Sequence, residues 1–300
     1  MLSALKGEDP LNSFDYARPV SLAEAVRLLS DRGSRARVLA GGTDLLVQMR
    51  AGRKDANLVV DVKRIPEMLD LNFDPREGLT LGAAVPCYQI YRNATVKKLY
   101  PSLAEVSSII GGTQIQGRAS IGGNLCNAAP SADSVPLLIA LGVKCRIASA
   151  GGMRDVAVED FCTAPGQNAL RPGELLVSLR FPPPAARTGA YYLRFTPRNE
   201  MDIAVAGAGV SVELENGVFR SARIALAAVA PTPLFVRDAG AMLAGKPVND
   251  ESIQIASESA RQTAKPITDM RGTAEHRRHL CGVLTRRALQ IAIQRARENR

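Results

Sequence analysis

Two glycine pairs are the residues of this chain whose types and spacing point most directly to chemistry. Ala40-Gly41-Gly42-Thr43-Asp44-Leu45-Leu46 follows an apolar run, and Ser120-Ile121-Gly122-Gly123-Asn124 sets a second pair between a hydroxyl and an amide. Glycine has no Cβ, so backbone N–H groups at such turns can face a bulky anion and approach it closely. Two such loops from one domain would make a two-sided cradle for a dinucleotide diphosphate. Either pair alone is more often an ordinary turn, and the expectation rests on their joint occurrence.

The elements that must position these loops read as an α+β chain. Ser21-Leu22-Ala23-Glu24 is a capping box that predicts a helix to residue 31, closed by Gly33. Apolar patterning predicts strands over 35–40, 57–62, 69–73, 79–84, 143–149 and 174–181, a helical turn over 44–50, and helices over 86–92, 97–110 and 134–141. Pro182-Pro183-Pro184 marks a break, because proline fixes φ and donates no hydrogen bond. Beyond it, strands over 190–197, 203–214 and 219–230 predict an antiparallel three-stranded meander turning at Glu215-Asn216-Gly217. Helices over 234–244, 250–263 and 273–298 complete the chain. The expected units are residues 1–62, 63–181 and 185–300.

Composition narrows the classes. A hydrophobic content of 46% in 300 residues suffices for real cores, and no run approaches the length of a membrane span, which predicts a soluble chain. The absence of Trp and the low aromatic content argue against a base-stacking nucleic-acid platform, despite a formal charge of +9. The basic run His276-Arg277-Arg278-His279, with Arg286-Arg287, reads as a solvated helix face or a protein contact. Five cysteines without a CxxC pair, and no leader-like N-terminus, predict reduced thiols and a cytoplasmic location. No metal-ligand spacing is visible, since the two histidines lack a third ligand in sequence. Gly240 to Pro247 nearly spells a phosphate loop, but Pro247 replaces the magnesium-binding hydroxyl and the stretch ends a helix.

The two loops, with NAAPSAD at 127–133, YLRFTPRNEMDIAVAG at 192–207 and DMRGTAEHRRHLCGVLTRRAL at 269–289, closely resemble the FAD-binding medium subunit of molybdenum hydroxylases, the xanthine dehydrogenase and carbon monoxide dehydrogenase type. The resemblance covers nearly the whole chain in order. It implies a two-lobed FAD-binding domain of the PCMH type followed by a sheet-plus-helix domain. In the family, the first loop (Leu39, Ala40, Gly41, Gly42, Thr43, Asp44 and Leu45 here) wraps the FAD diphosphate. Ser120, Ile121, Gly122, Gly123 and Asn124 match the second loop. Asp133 matches an acidic cofactor-binding position; repulsion from phosphate favours a ribose or adenine hydrogen bond, and the same residue can be read as an N-cap for the next helix. Ile110 and Leu176 match apolar contacts, Tyr192 an aromatic facing the isoalloxazine in some members, and Arg194 a basic residue near the flavin ring.

The resemblance further implies that the organic substrate is hydroxylated elsewhere, on a large subunit holding molybdopterin. Electrons would pass through two 2Fe–2S clusters of a small subunit to the FAD of this chain, then to NAD, a quinone or dioxygen. The expected assembly is a hetero-oligomer, such as a dimer of heterotrimers, and no catalytic acid or base is required here. Asn124-Leu125-Cys126 runs straight into Asn127-Ala128-Ala129-Pro130, without the cysteine-bearing insertion of the benzoyl-CoA-reducing relatives. Gln116-Gly117-Arg118 departs from the more usual Arg-Asn pair. The alternative is a self-contained FAD-dependent oxidase or dehydrogenase, which is usually longer and carries a substrate cap.

Overall fold

The first sixty or so residues build a small parallel sheet whose strand ends deliver the first glycine turn. The computed structural model describes residues 12–299; the reading of no leader segment and the start of the first predicted unit fall on residues 1–11, outside the described residues, as does Arg300. In chain order the unit comprises β1 (Asp15–Ala17), α1 (Leu22–Arg32), β2 (Ala36–Leu39), α2 (Leu45–Arg50) and β3 (Leu58–Asp61). The strands pair in parallel in the order β1-β3-β2. Ser21 caps α1 by accepting from the Glu24 N–H (3.3 Å), Glu24 accepts in return from the Val20 N–H (3.1 Å), and Gly33 closes the helix at φ 56°. All four residues of β3 are buried; the apolar run Leu58-Val59-Val60 suits a central parallel strand, and Asp61 at its end is held by hydrogen bonds.

The next stretch folds as an antiparallel sheet with helices packed on it. It contains β4 (Leu71–Asp74), β5 (Gly78–Gly82), α3 (Cys87–Arg92), α4 (Ala94–Leu99), α5 (Pro101–Ser107), α6 (Thr113–Gln116), α7 (Ile121–Asn127) and α8 (Ser134–Ala140). The strands β6 (Lys144–Ser149), β7 (Gly152–Ala157), β8 (Cys162–Ala164), β9 (Gln167–Asn168) and β10 (Leu175–Phe181) follow. Five of the strands form one sheet in the order β4-β5-β10-β6-β7, while β8 and β9 pair separately. Two expectations are corrected here. The helix expected over 97–110 is split, because Pro101 has no N–H and Tyr100 before it leaves helical geometry at φ −134°, ψ 56°. The second glycine segment is not a free turn: Ser120 is an N-cap whose Oγ accepts from the Gly123 N–H (3.0 Å), so Gly122-Gly123-Asn124 forms the opening of α7.

After the prolines come β11 (Thr188–Phe195), β12 (Ala206–Glu215), β13 (Val218–Ala227), β14 (Leu234–Phe235), α9 (Arg237–Leu243), α10 (Asp250–Thr263) and α11 (Ala274–Glu298). Asn216 and Gly217 turn the β12–β13 hairpin with both φ positive (49° and 80°), the geometry that matches strand twist. The sheet has four strands in the order β11-β12-β13-β14, not three. Residues 234–235, expected to begin a helix, pair with Ala225 and Leu226 first, and the helix starts at Arg237. The basic run on α11 is also not a uniformly solvated face. Arg277 is buried, with Nη1 donating to the Val205 and Ala228 carbonyls (3.0 Å each) and Nη2 to Asp269 (2.6 Å).

The two halves meet along α8. Each of its seven residues is buried, and its backbone lies directly on β12 at Gly209, where a Cβ would stand 2.5 Å from the Pro136 carbonyl carbon. Arg223 on β13 donates to the Ile139 carbonyl (2.9 Å), and Arg295 near the end of α11 pairs with Glu105 on α5 (2.6 Å).

Candidate functional site

The two glycine segments touch. A Cβ on Gly41 would stand 2.4 Å from the Arg118 carbonyl oxygen, two residues before Ser120. A Cβ on Gly122 would stand 2.5 Å from the Ala83 carbonyl oxygen, just after β5. Real side chains do not tolerate either distance, so glycine is what allows the first turn, the start of α7 and the end of β5 to close on one another. Beside this seam opens a cleft of ≈ 710 Å³, in the upper part of the range of small-molecule sites (about 300–1,000 Å³).

Thirteen of the seventeen residues expected at the cofactor line this cleft: Ala40, Gly41, Gly42, Thr43, Asp44, Leu45, Ile110, Ser120, Gly122, Gly123, Asn124, Asp133 and Leu176. Four do not, and each has a physical reason. Leu39 packs inward with Met49, Ala56 and Val59, and Ile121 is buried in the main core. Tyr192 and Arg194 on β11 stand behind Asp133, holding its carboxylate instead of bordering the cleft.

Cations outside the cleft set the orientation of the first turn. Lys63 Nζ donates to the Ala40 carbonyl (2.9 Å) and Arg118 Nε to the Gly41 carbonyl (3.0 Å). Neither residue lines the cleft, so two successive carbonyl oxygens are held away from it. The N–H groups of Gly42, Thr43 and Gly122 have no acceptor among the described residues. On the opposing segment, Asn124 Oδ1 accepts from Ser134 Oγ (2.6 Å), which leaves the Asn124 amide NH₂ as a donor. A wall of amide donors and a Thr hydroxyl, with the Ala40 and Gly41 carbonyls tied to cations, suits a diphosphate. The residues present therefore fit the dinucleotide they were expected to hold.

Lys63 is itself fixed by a buried carboxylate. Asp61, 5% exposed, accepts from Lys63 Nζ (2.8 Å), the Lys63 N–H (3.0 Å) and the Tyr16 hydroxyl (2.5 Å). Burial alone would raise the Asp61 pKa, but these bonds outweigh it and hold the carboxyl below its ordinary value of 3.8. A depressed carboxylate stabilises the fold above that value and loses the contribution as pH falls through its folded pKa. We expect Lys63→Met to cost about 2 kcal/mol at neutral pH, with the gap from the parent closing only as pH falls below 3.8, as read by urea unfolding at several pH values.

Asp133 is the acidic centre of the far wall. Its carboxylate accepts from Tyr192 Oη (2.8 Å) and pairs with Arg194 Nη1 (2.5 Å), and both members of the ion pair are 12% exposed. It makes no side-chain cap on α8, so the N-cap reading is set aside. Burial raises the Asp133 pKa, and the Arg194 charge and the bonds from Tyr192 and Arg194 offset that rise only partly. Asp44, on the near wall, is likewise raised by burial, while the Lys54 charge works against that rise.

Several cleft residues were not among those expected at the cofactor. Lys54, Gln48 and Asn127 gather where α2 meets α7, with Gln48 Nε2 donating to Asn127 Oδ1 (2.9 Å). Met201, Asp202 and Ile203 reach the cleft from the loop between β11 and β12. Arg198 and Asp202 form a local ion pair at 4.0 Å. Cys126 borders the cleft as a free thiol, pushed up to about 12 by burial. Among the described residues no group of three or more His, Cys, Asp or Glu could hold a metal ion, and no helix is long and apolar enough to cross a membrane.

A cleft between a parallel β-α unit and an antiparallel sheet, closed over glycine turns, defines an FAD-binding fold of mixed helix and sheet. The chain belongs to the family described as the FAD binding domain in molybdopterin dehydrogenase, which matches residues 12–184, and the CO dehydrogenase flavoprotein C-terminal domain matches residues 191–292. It is 33% identical over 287 residues to the xanthine dehydrogenase FAD-binding subunit of Escherichia coli, covering 94% of this chain and 98% of that one. It is also 33% identical over 285 residues to the carbon monoxide dehydrogenase medium chain of Afipia carboxidovorans, covering 95% and 98%. Among solved structures, reconstituted CO dehydrogenase from Oligotropha carboxidovorans superposes with a TM-score of 0.91 at 32% identity, covering 96% of this chain and 100% of that chain. These relatives are dehydrogenase subunits, and this chain is an FAD-binding oxidoreductase subunit of the molybdenum hydroxylase family.

Proposed function

We propose that the chain binds one FAD non-covalently along the cleft and serves as the flavin station of a three-subunit hydroxylase. Electrons would arrive from 2Fe–2S clusters on a small partner and leave to an external acceptor: NAD, a quinone or dioxygen. The observation that carries this reading is the meeting of the two glycine segments on one cleft, with the Gly42, Thr43 and Gly122 amides unpartnered and two carbonyls tied back. Bound there, FAD supplies a redox centre able to take up electrons singly and give them up in pairs.

The chain's own residues do the holding. The amides of Gly42, Thr43 and Gly122, the Thr43 hydroxyl and the Asn124 amide donate to the diphosphate. Asp133 accepts from a ribose hydroxyl or the adenine amine, while Ile110 and Leu176 supply apolar wall. Arg194 and Tyr192 act through Asp133. The self-contained oxidase has no observation in its favour, since no histidine lines the cleft for covalent attachment. The same reading takes residues 1–62 and 63–181 as the two lobes, 185–300 as the third unit, and a cytoplasmic dimer of heterotrimers as the assembly.

The purified chain, stripped of flavin and titrated with FAD, is expected to take up one equivalent with quenching of flavin fluorescence. A folded chain that stays colourless through the titration would sink the reading. Co-purification of the native complex, with iron and molybdenum analysis, tests the partners.

A further inference from the structure

A diphosphate brings two negative charges into a cleft whose near wall already carries Asp44. The cations around the first glycine turn are mostly committed to protein groups. Lys63 is paired with Asp61 and bonded to the Ala40 carbonyl, Arg118 is bonded to the Gly41 carbonyl, and neither lines the cleft. Arg37 lines the cleft but turns its Nη1 back onto the Ser34 and Ala36 carbonyls (2.6 and 3.1 Å). Arg194 is bound to Asp133.

Arg171 also lines the cleft without an ion pair among the described residues but is exposed, and Lys54 differs from all of these. It is half-buried and lines the cleft, and among the described residues its ammonium has neither an ion pair within 4.0 Å nor a hydrogen bond. The chain is built to hold it there. After α2 the backbone folds back, with the Gly52 N–H donating to the Met49 carbonyl (3.0 Å) and the Arg53 and Lys54 N–H groups both donating to the Gln48 carbonyl (2.9 and 3.3 Å). The Gln48 side chain is in turn tied to Asn127 at the end of α7 (2.9 Å). Lys54 thus stands at the junction of the two elements that the glycine segments open, near Asp44 on one and Cys126 on the other.

We propose that Lys54 is the charge partner of the bound diphosphate: its ammonium, uncommitted in the protein, neutralises the phosphate oxygens and offsets their repulsion from Asp44. This rests on FAD occupying the cleft. A point charge on a flexible stem suits a phosphate group that the amides already orient.

The test is FAD titration of the flavin-stripped full chain, followed by flavin fluorescence at several salt concentrations. Lys54→Met is expected to weaken FAD binding about tenfold to a hundredfold and to flatten its salt dependence. Lys54→Arg is expected to restore most of both, and the exposed-site control Lys98→Met to change neither. Thermal unfolding without flavin should be the same for all four proteins. FAD affinity and salt dependence unchanged in Lys54→Met would overturn the proposal, as would an equal loss in Lys54→Arg. Failure of the parent chain to take up FAD would instead overturn the site reading beneath it.

Discussion

Gly41→Ala is expected to lose flavin and about 3 kcal/mol of stability together. The added methyl would stand 2.4 Å from the Arg118 carbonyl oxygen, and that atom is backbone, so nothing at the end of a flexible side chain can move aside. Either the first turn or the segment leading into α7 must shift, and overpacking of this kind costs about 1–3 kcal/mol. The shift also breaks the register between Arg118 Nε and the Gly41 carbonyl, which keeps that oxygen out of the cleft. A carbonyl released towards a diphosphate would repel it. Gly122→Ala meets the Ala83 carbonyl at 2.5 Å and should behave alike. The checks are flavin content after purification and urea unfolding of the flavin-free chains. Full flavin occupancy in both variants would show that the cradle lies elsewhere.

Arg194→Met is expected to cost about 3–5 kcal/mol at neutral pH, because it leaves the Asp133 carboxylate buried with only Tyr192 to hold it. The pH dependence follows from the direction of the Asp133 shift. Its folded pKa is already raised by burial, so its contribution is fully present below the unfolded value of 3.8 and is lost as pH rises through the folded pKa. Removing the guanidinium raises that folded pKa further. The defect should therefore be greatest near pH 7 and close towards pH 4, as unfolding curves across that window would register. Arg194→Lys should recover part of the stability, since an ammonium supplies the charge but not the planar fork. A purely steric role for Arg194 would give a pH-independent defect and no recovery.

What could be read from the chain alone follows the physics of each signal. The glycine segments were legible because a close backbone approach demands glycine whatever surrounds it, and the Ser21 and Asn216-Gly217 signals are equally local. Lys63 and Arg118 were not legible as site residues. Each acts on a main-chain carbonyl on another element, and any residue type could supply that oxygen. Arg194 matches a basic residue near the flavin ring, and the 61 residues separating it from Asp133 hid the ion pair between them. Pro101 was visible, yet the apolar spacing on both sides of it suggested one helix across residues 97–110, where its missing N–H makes two. Strands of two or three residues, such as Asp15–Ala17 and Leu234–Phe235, are too short for alternation to register.

The wholly enclosed helix Ser134–Ala140 packs the chain on either side of the proline run at 182–184 into contact. Dissecting the polypeptide there would strip cover from Val135, Leu137, Leu138 and Ile139, and present a greasy ridge to water on either fragment. The flavin-holding portion is thus no detachable cassette: the sheet that follows covers one of its helices.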